Sequence, residues 1–325
     1  AATQMAMMTN EQLARHLRQF KGDGESLQGR ASREGLSSTV RKAVADNPRR
    51  FVDDLRPFLR VEPEYQESIL EGFSDAWKAK HDFDWQAVLR FCSEIVTPAG
   101  FWSRDYANAR NLRESIVAEI AGLIEDGTRD DSHAFGAAVL PQAEELLIQL
   151  LQKTPYVLVT EDDLWMQVHN SAKGRVLVAA INYSLRCARL KKAANDKDRW
   201  PKRMKDAFTA RLNRSRDDSL EFSFILGEYL ANLYYLDQQW VESNINRMFP
   251  KANEKHWVAA FTGYLAGRGV YDALYDLLRK NGHYAKALAA SFMTPRSRER
   301  LVDHLCVGYL GGKEPMDDAG SLFST

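Results

Sequence analysis

Four side chains on one stretch of the chain have the types and spacing to hold an anion: Arg175, Asn182, Arg186 and Arg189. At 100° per residue they fall within about 60° of one another on a helical wheel. Guanidinium forks bind carboxylates and phosphates with paired hydrogen bonds. Nearly everything else from Val176 to Leu190 is apolar or small, so a helix here is buried on more than one side and shows a single polar stripe. A second stretch repeats the offsets: Glu221, Glu228, Asn232 and Tyr235 stand 0, 7, 11 and 14 residues along, as the first four do. Glu221 or Glu228 would therefore neutralise an arginine inside the fold, where an unpaired charge is costly. Two readings follow: internal ion pairs, or a groove in which the arginines hold an acidic ligand.

A basic segment lies beside the stripe. Between Arg186 and Lys205 there are nine Lys or Arg residues against Asp196 and Asp198, with Trp200 among them. Its candidate patch is Lys191, Lys192, Arg199, Lys202 and Arg203. Cations around an aromatic side chain can follow a nucleic-acid backbone, and this is the alternative reading of the chain, as a nucleic-acid binder or an enzyme acting on DNA bases. The opposing reading is a solvated tip between two helices.

Other motifs do not complete. "GYLGGKEP", residues 308–315, has three residues between Gly308 and Gly312 where a P-loop needs four, and Glu314 stands where Ser or Thr is required. "NSAKGR", residues 170–175, has one glycine, too few for a cradle of backbone N–H groups; Ser171 reads instead as a helix N-cap. The seven histidines form no His-Glu-x-x-His and no His/Cys cluster, and His304 and Cys306 would point to different faces of a helix. Ser, His and Asp occur without nucleophile-elbow spacing. No catalytic residue, metal ligand or cofactor is assigned from the sequence.

The elements that must carry these residues are helical throughout. Thr9 and Gln12 make a capping box before Leu13 and Leu17; Pro48, Pro63 and Pro141 open helices; Asp84 caps another; Pro57 predicts a break. In the second half, helical patterns cover 171–192, 201–213, 219–236, 238–248, 254–266, 270–280, 283–292 and 296–310. The strand-like "YVLVT", residues 156–160, lacks a partner run and reads as a connector. The expected fold is all-α: about fourteen helices in antiparallel pairs of roughly forty residues, an irregular HEAT-like α-solenoid, divided into residues 1–160 and a continuous second half, 161–325.

Composition limits the function. The 325 residues carry 44 basic and 44 acidic side chains, which argues against bulk nucleic acid or an anionic membrane as the main partner. No apolar run reaches the eighteen or so residues of a membrane span. Cys92, Cys187 and Cys306 are isolated in apolar contexts, which predicts buried thiols in a reducing cytoplasm. The start, "AATQMAMM", reads as an internal cut and the end, "DDAGSLFST", as the beginning of another helix, so a fragment of a longer protein is expected.

Residues 170–189, 224–250 and 257–265 resemble a helical region of large bacterial STAND-type nucleotide-binding and antiviral defence proteins. The likeness rests on Asn170-Ser171, Gly174-Arg175, Gly227, Tyr229, Leu236-Asp237, Trp240, Phe249-Pro250, Trp257 and Gly263-Tyr264-Leu265. These are packing and turn residues, so no functional residue is carried over. The resemblance implies a sensor or assembly surface beside a separate enzymatic domain. The expectation is therefore a non-catalytic cytoplasmic module that recognises a protein partner or other domains of the same polypeptide.

Overall fold

The structure is a computed structural model. It describes residues 5, 7–20, 32–103, 111–156, 164–191, 198–213, 218–267, 269–290, 294–314 and 321–322. The described residues are all-α, with eighteen α-helices, three short 3-10 turns and no strand. Residues 157–160 of the strand-like segment and Lys192 lie outside them. The chain divides into two compact units, Ala1–Pro155 and Tyr156–Thr325.

The first unit holds α1 (Asn10–Gln19), α2 (Arg33–Asp46), α3 (Pro48–Val52), α4 (Pro63–Lys78), α5 (Trp85–Val96), α6 (Ala99–Ser103), α7 (Leu112–Arg129) and α8 (Leu140–Lys153). Local signals set its helix starts. Thr9 and Gln12 exchange side-chain and backbone hydrogen bonds, Asp84 accepts from the Gln86 and Ala87 N–H groups, and Pro48 and Pro63 occupy first-turn positions. Pro57 lies in a 3-10 turn, Arg56–Arg60. Helix α4 packs between α2 and α7, and α5 packs on α8. Tyr65, Ile69, Phe73 and Trp77 of α4 are buried. A Cβ at Gly72 would lie 2.7 Å from the Arg41 carbonyl oxygen, so α2 and α4 meet backbone to side chain there. Beside this crossing Arg41 grips Asp75 through Nε (2.6 Å) and Nη2 (3.0 Å), a fork-to-carboxylate pair that locks the two helices in register.

The second unit holds α9 (Leu164–Asn170), α10 (Ala172–Lys191), α11 (Lys202–Arg211), α12 (Leu220–Glu228), α13 (Leu230–Leu236), α14 (Gln238–Met248), α15 (Glu254–Ala266), α16 (Asp272–Lys280), α17 (His283–Ala289) and α18 (Pro295–Leu310). Ser171 caps α10 by accepting from Gly174 N–H at 2.9 Å. Helix α10 packs on α12, α12 on α15, and α15 on α18. The closest approach is α12 on α15. A Cβ at Gly227 would lie 1.8 Å from the Ala260 oxygen, and one at Gly263 would lie 2.1 Å from the Phe224 oxygen. The two backbones touch, and only glycine leaves room.

The expected single helix over 219–236 is two, divided at Tyr229, whose ψ of 18° departs from helical geometry one residue after the crossing surface ends. Such short segments account for eighteen helices among the described residues instead of about fourteen. Cys92 and Cys187 are buried as expected, whereas Cys306 is exposed. It occupies the outer face of α18 with Val302, Tyr309 and Leu310, a face whose apolar spacing resembles that of a buried one.

The crossing yields a test. Gly227→Ala and Gly263→Ala each force a methyl group into a carbonyl oxygen, so each is expected to destabilise the chain by about 3 kcal/mol or more. Gly100→Ala, where no atom lies within 4 Å of the added carbon, should change stability by under about 0.5 kcal/mol. Urea unfolding followed by helical circular dichroism measures both; equal effects would refute the close crossing.

Candidate functional site

Helix α10 carries the sequence-derived stripe. Fourteen of its twenty residues are buried, as its apolar circumference requires. Arg175, Arg186 and Arg189 are half-buried, and each is engaged within the chain. Asn182 is buried and donates Nδ2–H to the Val178 carbonyl at 3.1 Å, one turn back on its own helix. Of the two carboxylates matched to the stripe, Glu221 is fully buried and engaged. Glu228 meets His169 of α9, with its oxygens 2.9 and 3.1 Å from Nε2. His169 carried no signal in the sequence, because α9 is brought against α12 only by the fold.

The basic segment is divided by packing. Lys191, Lys202 and Arg203 are exposed, and Lys202 pairs with Asp206 at 2.5 Å. Arg199 is held on α13: its guanidinium carbon lies 4.5 Å from the Tyr235 ring centroid and Nη1 donates to the Tyr235 carbonyl at 3.0 Å. Trp200 is buried edge-on against Trp240 and Phe208, so its ring face is not offered to a base. Lys205 reaches back to the nearly buried Asp237 at 2.5 Å.

The fold also assembles a Ser–His–Asp chain that no spacing announced. Ser223 Oγ lies 2.8 Å from His256 Nδ1, and His256 Nε2 lies 2.6 Å from Asp218. The chemistry runs the wrong way for acyl transfer. A nucleophilic hydroxyl must face the substrate while its acid orients the histidine from behind. Here Ser223 is fully buried under α15, and Asp218 is the outer member, its side chain 67% exposed. The chain pins the start of α12 to the start of α15. With Asp218 accepting from Nε2–H, Nδ1 is left to accept the serine proton.

Further buried polar groups join helices of the second unit. The Trp257 indole donates to His283 Nδ1 at 3.1 Å, and Tyr264, Tyr284 and His304 join through their hydroxyls and Nδ1 at 3.0 and 3.1 Å. Burial pushes both histidines down to about 4; Lys251 and Lys286 lower His283 further, while for His304 the nearby Asp303 opposes the burial. Protonating His283 Nδ1 would also set a second donor against the indole N–H. Glu314, the residue that disqualified the P-loop, is fully buried and accepts from Tyr275, Arg279, Ser321 and the Leu322 N–H. Burial alone would raise it, but the Leu322, Arg279 and Tyr275 donors outweigh this and hold it below the usual carboxylate range.

Among the described residues no group of three or more His, Cys, Asp or Glu side chains is placed to hold a metal ion, and no helix is long and apolar enough to cross a membrane. The residues behind the family resemblance do packing work: Gly174 lies against the Val168 carbonyl, Gly227 and Gly263 form the crossing, Asp237 caps α14, and Trp257 is buried. Comparison with protein-family models, curated proteins and solved structures finds no match to this chain.

Two outcomes are expected. Ser223→Ala should cost about 1–3 kcal/mol by leaving His256 Nδ1 buried without a donor, whereas Asp218→Asn, at the exposed end, should cost under about 1 kcal/mol. Denaturant titration distinguishes them. Second, His283 and His304 are depressed in the folded state, so the unfolded chain binds more protons below its histidine pKa near 6.5. Their contribution is complete above that pH and is lost as the pH falls toward about 4. Stability measured from pH 7 to 4 should fall, and His304→Phe should flatten the fall.

Proposed function

We propose that the chain is a non-catalytic helical-repeat module, an irregular HEAT-like α-solenoid of antiparallel helix pairs. Its role is protein recognition or intramolecular scaffolding and sensing, within a larger cytoplasmic bacterial protein of the antiviral defence type. The observation that carries this reading is where the chemical groups go. Ser223, His256, Glu314, Tyr275, Tyr284 and His304 are all buried and bonded in pairs, Ser223 with His256, Tyr275 with Glu314 and Tyr284 with His304. On α18 the second unit exposes an apolar set, Val302, Val307, Tyr309 and Leu310, the last 82% exposed, beside the charged Arg296, Arg298, Glu299, Arg300 and Asp303. Stacked helices that present side chains on an outer face suit protein surfaces, and exposed apolar clusters mark sites of association.

The alternative is nucleic-acid binding through Lys191, Lys202 and Arg203. The burial of Trp200 takes away the stacking platform that would accompany such a patch. Both readings are tested together. Proximity labelling in the native cell should enrich protein neighbours, and Val302→Lys with Leu310→Lys should abolish that enrichment while leaving the melting temperature within a few degrees of wild type. Enrichment untouched by the double substitution would sink the proposed surface. Fluorescence anisotropy with single- and double-stranded DNA and RNA should show no binding that weakens steeply with salt. Such binding, reduced by charge reversal at Lys202 and Arg203, would move the assignment to the alternative.

A further inference from the structure

Helix α18 has two faces with the composition of a packing surface. On its inner side, where it packs on α15, Ser297, Leu301, His304, Leu305 and Gly308 are buried. On the opposite side Glu299, Val302, Asp303, Cys306, Tyr309 and Leu310 are exposed. At 100° per residue these six fall within about 120°, with Cys306 near the middle. Glu299, Val302, Cys306 and Tyr309 recur at intervals of three, four and three, the spacing of a seam between two helices. Val302 is 57% exposed and Leu310 82%, so the seam lies open.

Charge is ordered along this helix. Its start exposes Arg296, Arg298 and Arg300, the last 3.8 Å from Asp303. Its far end lies beside two exposed acids of α16. Asp276 is 2.5 Å from Lys313 Nζ, and Asp272 also acts on that ammonium. Two copies of α18 laid antiparallel, with a two-fold axis at Cys306, bring residues equally far before and after it face to face. Val302 then meets Leu310, Asp303 meets Tyr309, and Glu299 meets Lys313. Arg296 falls just past Lys313, at the acidic end. Parallel copies would instead set Glu299 on Glu299, Asp303 on Asp303 and the arginines on one another. An interface between identical copies must be complementary to itself about its axis. This face meets that condition in the antiparallel sense, and its acids disfavour a phosphate backbone as the occupant.

We propose that the occupant of the α18 surface is a second copy of this chain, docked antiparallel through α18 with Cys306 at the two-fold axis; this rests on the reading of α18 as the recognition surface. A face one helix wide stands at the small end of specific interfaces, so a Kd of roughly 1–100 µM is expected.

The test is sedimentation velocity of the full chain from about 1 to 500 µM, with cross-linking by a short bismaleimide. A concentration-dependent dimer is expected, and Val302→Lys with Leu310→Lys should weaken it about tenfold or more. Cys92 and Cys187 are buried, so the covalent dimer should form through Cys306 and vanish in Cys306→Ser. Orientation is read in the Cys306→Ser background. A mixture of Val302→Cys and Leu310→Cys chains should cross-link as a heterodimer, whereas either alone leaves its thiols about 12 Å apart along the axis. A chain monomeric throughout the range would overturn the proposal. So would a dimer untouched by the double lysine substitution, one that Cys306 does not cross-link, or one in which Val302→Cys alone cross-links best. The Cys306 result stands even if the lysine variant fails to fold. A monomer that still loses its protein neighbours in the cell on the lysine substitutions would keep the surface and remove the second copy; neighbours retained would remove the surface itself.

Discussion

Backbone contact between α12 and α15 is the constraint on which the second unit depends. Glycine at 227 and 263 lets carbonyl oxygens of each helix lie where the other's side chains would stand. At that separation the flanking residues have no freedom. Phe222, Phe224, Ile225, Trp257 and Phe261 are fixed around the crossing, and the helices packed outside it, α10 and α18, inherit its orientation. Glycine in mid-helix costs about 1 kcal/mol of helix stability. The loss is offset by dispersion contacts and burial that a wider crossing would forfeit.

A crossing this tight also decides where polar groups can live. Ser223 and His256 sit beside the contact and must satisfy each other, since water does not reach them. The same rule explains the Tyr264–Tyr284–His304 chain and the donors around Glu314. Each is a buried polar set whose members find partners on another helix or segment, which gives the packing one favoured register. Groups that would be catalytic candidates on a surface are here the fasteners of the interior. That is the physical basis for reading the chain as a scaffold whose outer faces do the recognising.

The features legible in the sequence are those decided within a turn or two of helix. Thr9 with Gln12, Asp84, Ser171, Pro48 and Pro63 mark helix starts correctly, because capping and proline φ act on groups three or four residues away. The buried character of α10 was equally readable from its apolar circumference. Pairings between distant segments were not: Glu228 with His169, Ser223 with His256, and Glu314 with Arg279 join residues 59, 33 and 35 apart. The apolar spacing of α18 could not say whether that face is covered, and the glycines at 227 and 263 read as turn or packing residues with no indication that they touch across a crossing. Local free energy sets where helices begin and which face is apolar. Which faces meet depends on the packing of the whole chain, and only the tertiary structure decides it.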